Sequence, residues 1–467
     1  MRNRTHHRRA ALALSTAVAL VAGLVPAAQA TDLKEAVQAA VSSNPEISTA
    51  IQDKQAIEFE RKQAQGLYLP RADVEASAGV ERLDNPTRRL LGLDNRTLKP
   101  VEVGITASQT IWDSGYRRSE LDRQAARTDG AANRVGERSE FIALDVVKEY
   151  LNYLLQQRLV AIGRDNVAFH DQMVGDLQQG VQQGSISVAD LQQAEERQHA
   201  ARARVTEAQE DLLDSAIAFM SRTGLPLDSA TLPAPVTAQL PQNQGDAVSL
   251  ARTNNPRVKI AQADVDAALA LVRQARSALG PKVSLEVTGR AGNDVDGFED
   301  RTTDVQGRVV MHWNIFSGGI NQANVQEQVR RASEERYKLL EVMREVDLDV
   351  QQAWNRREQQ ASLLETLTNQ SRVSDELVNS YREQFRVGKR SLLDVLDAQN
   401  TRYNSQVLRE TARFAELFAE YKILASTGTL LDTLGVTRPA DAQANARQTF
   451  NTPPTPPAET MERHHVD

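Results

Sequence analysis

Two kinds of hydrophobic period run along this chain, and each occurs twice. Ala72, Val74, Ala76, Ala78 and Val80 interleave with Asp73, Glu75, Ser77, Gly79 and Glu81, and Val101, Val103, Ile105 and Ala107 interleave with Glu102, Gly104, Thr106 and Ser108. The alternation returns at Val283, Leu285 and Val287 against Ser284, Glu286 and Thr288. It then runs through Val305, Val309, Met311, Trp313 and Ile315 against Gln306, Arg308, His312 and Asn314, with Val310 the one exception. A period of two predicts strands with one apolar and one polar face, hence β-hairpins over about 71–112 and about 282–316. Strands of about ten residues with this pattern are used by transmembrane barrels, lipid outside and water inside. A half-buried soluble sheet carries the same pattern, and the charges of the polar face stay wet in either case.

The second period is helical and very long. Between Gly319 and Gly388 lie 68 residues with neither glycine nor proline, on the order of 100 Å of helix if unbroken. Gly115 to Gly184 spans the same distance in the first half. Leu396, Tyr403, Val407, Phe414, Leu417, Tyr421 and Leu424 fall at steps of three, four or seven, the seam of a coiled coil. The pattern predicts long helices over about 115–183 and 319–387, with return helices over about 188–223 and 391–427. Gly184 and Gly388 mark the turns at the far tip. Asn44-Pro45 and Asn255-Pro256 supply an N-cap followed by a first-turn proline, and the helices they open end before Pro70 and Pro281.

These elements are one unit used twice. Asn44-Pro45 recurs as Asn255-Pro256 at an offset of 211, whereas Ile111-Trp112, Gly184, Asp190 and Thr223-Gly224 recur as Ile315-Phe316, Gly388, Asp394 and Thr427-Gly428 at 204. The difference of seven belongs to the first hairpin, whose loop runs from Leu83 to Leu98. The chain thus divides into a first repeat (31–224), a linker or equatorial segment (225–245), a second repeat (246–435) and a proline-rich tail (436–467) expected to be disordered. Four strands cannot close a barrel, for which roughly eight is the usual minimum. Open edges in lipid leave backbone groups unpaired, so strands that span a membrane here require several chains to share one barrel.

Composition adds a compartment. Arg2, Arg4, Arg8 and Arg9, an apolar run from Ala10 to Val25 and Ala28-Gln29-Ala30 predict a cleaved secretory signal over 1–30. Without it, 51 basic residues face 62 acidic ones, a balance of −11 that argues against nucleic acid as a partner. The chain has no cysteine, which excludes disulfides and a lipidated N-terminal cysteine. His170, His199 and His312 share no metal-ligand spacing, and no phosphate loop or nucleophile elbow is present. The reading is of a protein that is not an enzyme, with no metal and no cofactor.

The segment Phe385-Arg386-Val387-Gly388-Lys389-Arg390-Ser391-Leu392-Leu393-Asp394-Val395-Leu396-Asp397-Ala398-Gln399 closely resembles the most characteristic stretch of the TolC family of outer-membrane efflux and secretion ducts, and the likeness extends over about 32–435. The resemblance implies a mainly α fold with a transmembrane β part, assembled as a homotrimer. Twelve strands would form one barrel in outer-membrane lipid, continuing into a twelve-helix tunnel in the periplasm. It implies as partners a periplasmic adaptor (membrane fusion protein), docking at Gly184, Ser185, Val387, Gly388 and Lys389, and an inner-membrane ABC transporter or other pump.

It also implies a periplasmic gate at Asp394, Asp397, Arg390, Asp190 and Phe385, in which Arg390 pairs across to Asp190. Rings of three carboxylates at Asp394 and Asp397 would select or bind cations, although acids in a first helical turn are favoured by capping alone. Phe385 stands where the family commonly has a tyrosine. Trp112, Trp313, Phe316 and Tyr68 sit where strand meets helix and read equally as a membrane-interface belt or as plain packing. The stretch Thr97–Arg123 and the residues Asp165-Asn166-Val167 with His170 resemble members serving type I secretion. A small-molecule efflux duct of the same fold remains an alternative, as does, in a different class, a periplasmic coiled-coil adaptor without a barrel.

Overall fold

The structure, a computed structural model, describes residues 31–92, 96–297 and 299–451; the expected signal segment lies outside them. Asn44 separates α1 (Leu33–Ser43) from α2 (Pro45–Gly66), and its Oδ1 accepts the Glu46 N–H at 2.9 Å. Asn255 does the same between α6 (Gln244–Asn254) and α7 (Pro256–Ser277), accepting from Arg257 at 2.8 Å. The first hairpin is β1 (Arg71–Ala78), a short helix α3 (Pro86–Leu90) and β2 (Val101–Trp112); the second is β3 (Lys282–Asn293) and β4 (Arg301–His312). The long helices α4 (Tyr116–Gln182) and α8 (Ile320–Arg386) each have 67 residues, and the return helices α5 (Val188–Thr223) and α9 (Leu392–Thr427) each have 36. A short helix α10 (Leu430–Leu434) follows. The second hairpin differs from expectation at one point, since β4 stops at His312 rather than running to about 316.

The four strands form one antiparallel sheet in the order β1-β2-β3-β4, leaving β1 and β4 as open edges. Its register puts every alternating apolar set on the same face: Val74 lies opposite Ile105, Ile105 opposite Gly289 and Gly289 opposite Val305. The other face gathers the charges. Arg290 sits there within 3.6 Å of Glu102 and Asp304 and 2.7 Å from Asp296, and Arg308 lies 2.9 Å from Glu286. One face of the sheet is thus mainly apolar along its middle, with Gln109 near one end and Asn293, Arg301 and Thr303 at the other, and the opposite face is salt-bridged.

The main core sits at the waist, where α1, α4, α5, α9 and α10 converge on Ile142, Val146, Phe219, Tyr421 and Leu430. The segment 225–245 is built into it. Leu227 and Val236 are buried, and the Tyr150 hydroxyl donates to the Thr231 carbonyl at 2.7 Å and accepts its N–H at 3.0 Å.

The expectation of a disordered tail from residue 436 fails for 436–451. Arg438 meets Glu140 at 2.8 Å and Asp432 at 3.0 Å, and Asp441 meets Lys54 at 3.2 Å. Buried Asp129 accepts the Ala446 N–H at 2.6 Å and the Arg447 Nε–H at 2.7 Å. Buried Arg61 donates to the carbonyl oxygens of Ala446 and Thr449, and Phe450 rests edge-on against Tyr68 with ring centres 5.8 Å apart. The tail's proline cluster lies further on, at 453–457, and a polar composition says nothing about partners some 300 to 390 residues away in the chain. Burial pushes the Glu140 carboxyl up to about 7 despite the opposing pull of Arg438. The remainder of the tail lies outside the described residues.

Candidate functional site

Both tips are built alike. Gly184 and Gly388 adopt left-handed φ of 72° and 70°, which glycine alone enters without strain. Ser187 and Ser391 then cap the return helices, accepting the N–H groups of Asp190 and Asp394 at 3.1 and 3.2 Å. Each aspartate takes back its serine's hydroxyl hydrogen, at 2.7 and 2.8 Å. Asp190 and Asp394 are therefore capping residues whatever else they do. Gly184, Ser185, Val387, Gly388 and Lys389 are all exposed around the two turns.

Arg390 does not reach Asp190 within the chain. Its guanidinium lies over the Tyr381 ring at 4.1 Å, bonds to Gln384 at 3.2 Å and approaches Asp394 at 3.8 Å. Tyr381 belongs to the turn of α8 preceding Phe385, and the competing partners on α8 and α9 hold the arginine on its own hairpin. Phe385 packs instead into an apolar tip cluster of Met173, Val174, Leu177, Leu392, Val395 and Leu396. Asp397 is exposed, about one turn beyond Asp394.

Sequence reasoning missed Tyr381 and a link just above this cluster. Gln399 Nε2 donates to Asn166 Oδ1 at 2.8 Å, joining α9 to α4 in a site closed to solvent. The available signal was an amide at position 399, three residues after Leu396 and four before Tyr403, in a seam otherwise apolar. On the other side of the tip seam, His170 is buried, and that burial, with Arg197 and Arg204 nearby, pushes its pKa down.

At the strand–helix boundary a β-bulge between Thr110 and Trp112 shifts the register of β2 against β3, so that Trp112 rather than Ile111 lies opposite Val283. The bulge aims Trp112 to the apolar face, where it is 59% exposed. Trp313 and Phe316 are exposed at the same level, with Trp313 Nε1 donating to the Leu279 carbonyl at 3.1 Å. Tyr68 is different: half-buried, it carries the Arg117 guanidinium over its ring at 4.9 Å. Among the described residues no group of His, Asp or Glu is placed to hold a metal ion, and no helix is long and apolar enough to cross a membrane.

A family model described as outer membrane efflux protein matches residues 36–225 and 247–429. The chain is 24% identical over 339 residues to the outer membrane efflux protein BepC of Brucella suis, covering 72% of this chain and 74% of that one. It is 23% identical over 407 residues to the alkaline protease secretion protein AprF of Pseudomonas aeruginosa, covering 84% and 83%, and 24% identical over 378 residues to the pyoverdine export outer membrane protein OpmQ of Pseudomonas putida, covering 78% and 76%. Among solved structures it superposes on the Campylobacter jejuni CmeC outer membrane channel with a TM-score of 0.71 at 16% identity, over 85% of this chain and 86% of that one. The open state of the Neisseria gonorrhoeae MtrE channel gives 0.69 at 18%, over 85% and 89%.

Proposed function

Because the chain belongs to the outer membrane efflux protein family, we propose that three copies form the outer-membrane exit duct of a tripartite export system serving type I protein secretion. The family makes it an outer-membrane transport conduit rather than an enzyme, and channels of this kind are trimers that work with an adaptor and an inner-membrane pump. One observation carries the reading: a four-stranded sheet with one apolar face and two open edges is fused to helical hairpins with 67-residue arms. Three such sheets supply twelve strands and remove every edge, and the helices continue the wall into the periplasm. Trp112, Trp313 and Phe316 then lie at the lipid boundary, with Tyr68 packed behind them.

Type I secretion is supported by the relative named for alkaline protease secretion, which matches the largest share of this chain among the relatives described. The relatives named for efflux and for pyoverdine export favour a second reading, a duct for small molecules. The two separate in a host stripped of its own outer-membrane duct and supplied with this chain, an ABC exporter, its adaptor and its protein cargo. Cargo is expected in the medium. Cell-retained cargo, together with restored drug efflux beside a drug pump, would select the second reading.

The exposed turns at Gly184, Ser185, Val387, Gly388 and Lys389 are the adaptor-docking surface in this proposal, and Asp394, Asp397, Arg390, Asp190 and Phe385 form the periplasmic gate. Arg390 bonds Gln384 and approaches Asp394, keeping the α8–α9 turn closed on itself. Arg390→Ser is expected to raise single-channel conductance in planar bilayers several-fold, most clearly at low salt. An unchanged conductance removes Arg390 from the gate.

A further inference from the structure

Below the sheet, two cavities lie on opposite sides of the α4–α7 pair. One is lined by Lys282 and His312 from the charged side of the sheet, with Tyr116 of α4 and Leu271 of α7. The other, of about 430 Å³, is a cleft between α4, α7 and the strap formed by residues 436–451. Its α4 residues Arg118, Asp122 and Ala125 stand two, six and nine positions beyond Tyr116, and its α7 residues Asp266, Leu269 and Arg273 stand two or five positions from Leu271. At 3.6 residues per turn these are the far sides of both helices. With the charged face turned into the duct, the cleft opens on the outer wall.

Its height sets it against the membrane. Phe450, 54% exposed, lines the cleft while resting edge-on against Tyr68, whose carbonyl accepts from Gln109 of β2 at 3.0 Å. Arg118 is the third residue of α4, about 5 Å below its start. Hydrocarbon fills about 30 Å of a bilayer some 40–45 Å thick, which leaves roughly 5–7 Å of headgroups on each side. Arg118 therefore lies at headgroup depth, just beneath Trp112.

Four arginines line the cleft against two aspartates. Arg118 and Arg273 share Asp122, each 3.2 Å away, and their side chains remain 71% and 50% exposed. Arg447 is held by Asp129 and Asp266. Arg61 is buried and donates to the carbonyl oxygens of Ala446 and Thr449, but its Nε–H has no acceptor among the described residues. The duplicated frame does not require these charges, since Val272, Gln322 and Gln326 stand at the positions matching Arg61, Arg118 and Asp122. Leu121, Leu269 and Phe450 supply an apolar wall beside the arginines.

We infer that this cleft seats the phosphate of an anionic phospholipid from the inner leaflet of the outer membrane, gripped by Arg118 and Arg273, and that the bound lipid holds the strap closed. The inference rests on the duct proposed above, which decides the side that meets lipid. Guanidinium groups match the oxygens of a phosphate in pairs and bond it more strongly than neutral donors do. The acyl chains then rise past Phe450 and Trp112 into the hydrocarbon. A choline headgroup would set its cation against the surplus arginines, so charge selects phosphatidylglycerol over phosphatidylcholine. Arg447 and Phe450 belong to the strap, so a lipid that binds only the closed strap also stabilises it.

Native mass spectrometry of the detergent-extracted trimer, titrated with the two lipids carrying the same chains, tests this. Wild-type protein is expected to retain one phosphatidylglycerol per chain and to release phosphatidylcholine. Arg118→Gln with Arg273→Gln should weaken phosphatidylglycerol about tenfold, the equivalent of one lost charge-assisted bond. Arg134→Gln with Arg138→Gln, lower on α4 and paired with Asp53 and Glu46, should leave it unchanged. Phosphatidylglycerol at about ten times its dissociation constant should slow protease cleavage within 437–451 about tenfold in the wild type, and at that concentration much less in the Arg118 and Arg273 variant. Equal retention of the two lipids, equal retention by the two double variants, or displacement by millimolar inorganic phosphate, which marks a free-phosphate site, would overturn the inference and leave the duct intact. A chain that is monomeric, or that leaves the membrane without detergent, would overturn the duct itself.

Discussion

Val287→Arg is expected to abolish trimers in the outer membrane, whereas Thr288→Arg, one residue further on, is expected to leave them at wild-type levels. Val287 lies near the middle of β3 on the apolar face, between Ala107 and Gly307. A lipid-facing arginine at the bilayer midplane costs about 2–4 kcal/mol, and a closed ring of three chains meets that cost three times, roughly 10 kcal/mol in all. That equals the whole stability of an ordinary domain. Thr288 points to the charged face beside Thr106 and Gln306, where an arginine remains in water. Equal amounts of detergent-extracted trimer from the two variants would show that the apolar face does not meet lipid.

That one-residue contrast rests on what was legible in the sequence. Strand parity survives in a single chain because the side-chain period is two and every apolar set keeps it. The duplication was legible because equal helices need equal lengths of chain, 67 against 67 and 36 against 36. The serine–aspartate caps at both tips were local enough to read. The contacts that depend on distant residues were not. Arg390 resembled a residue that pairs with Asp190, yet Tyr381 and Asp394 hold it, and no periodicity reveals which of several neighbours a long side chain selects. The end of β4 was set four residues too far because alternation continues through Ile315, while a strand lasts only as far as its partner does. Residues 436–451 were misread for a related reason, since their order comes from carboxylates and an arginine buried on α4 and α2.

Those buried groups make Asp129→Ala the second large effect. Asp129 is 3% exposed and accepts two backbone N–H groups, those of Ala446 and Arg447, as well as the Arg447 guanidinium. Alanine leaves both N–H groups without an acceptor and removes the buried anion paired with Arg447, whose remaining partner Asp266 is half exposed. Breaking such a buried pair costs about 3–5 kcal/mol. Arg447 can still turn toward water, so the lower figure applies. At about 1.4 kcal/mol per factor of ten, the open state of the strap becomes roughly 100-fold more populated. Protease cleavage within 437–451 should accelerate in proportion, since cleavage of a rapidly reclosing segment follows its open population. Asp266→Ala is the control. It removes the same arginine's exposed partner, an interaction worth about 0–1 kcal/mol, and should change cleavage only a few-fold. If both variants are cut at the same rate, the strap is not held by the buried carboxylate, and the order of this segment must come from Arg61 and its carbonyl acceptors instead.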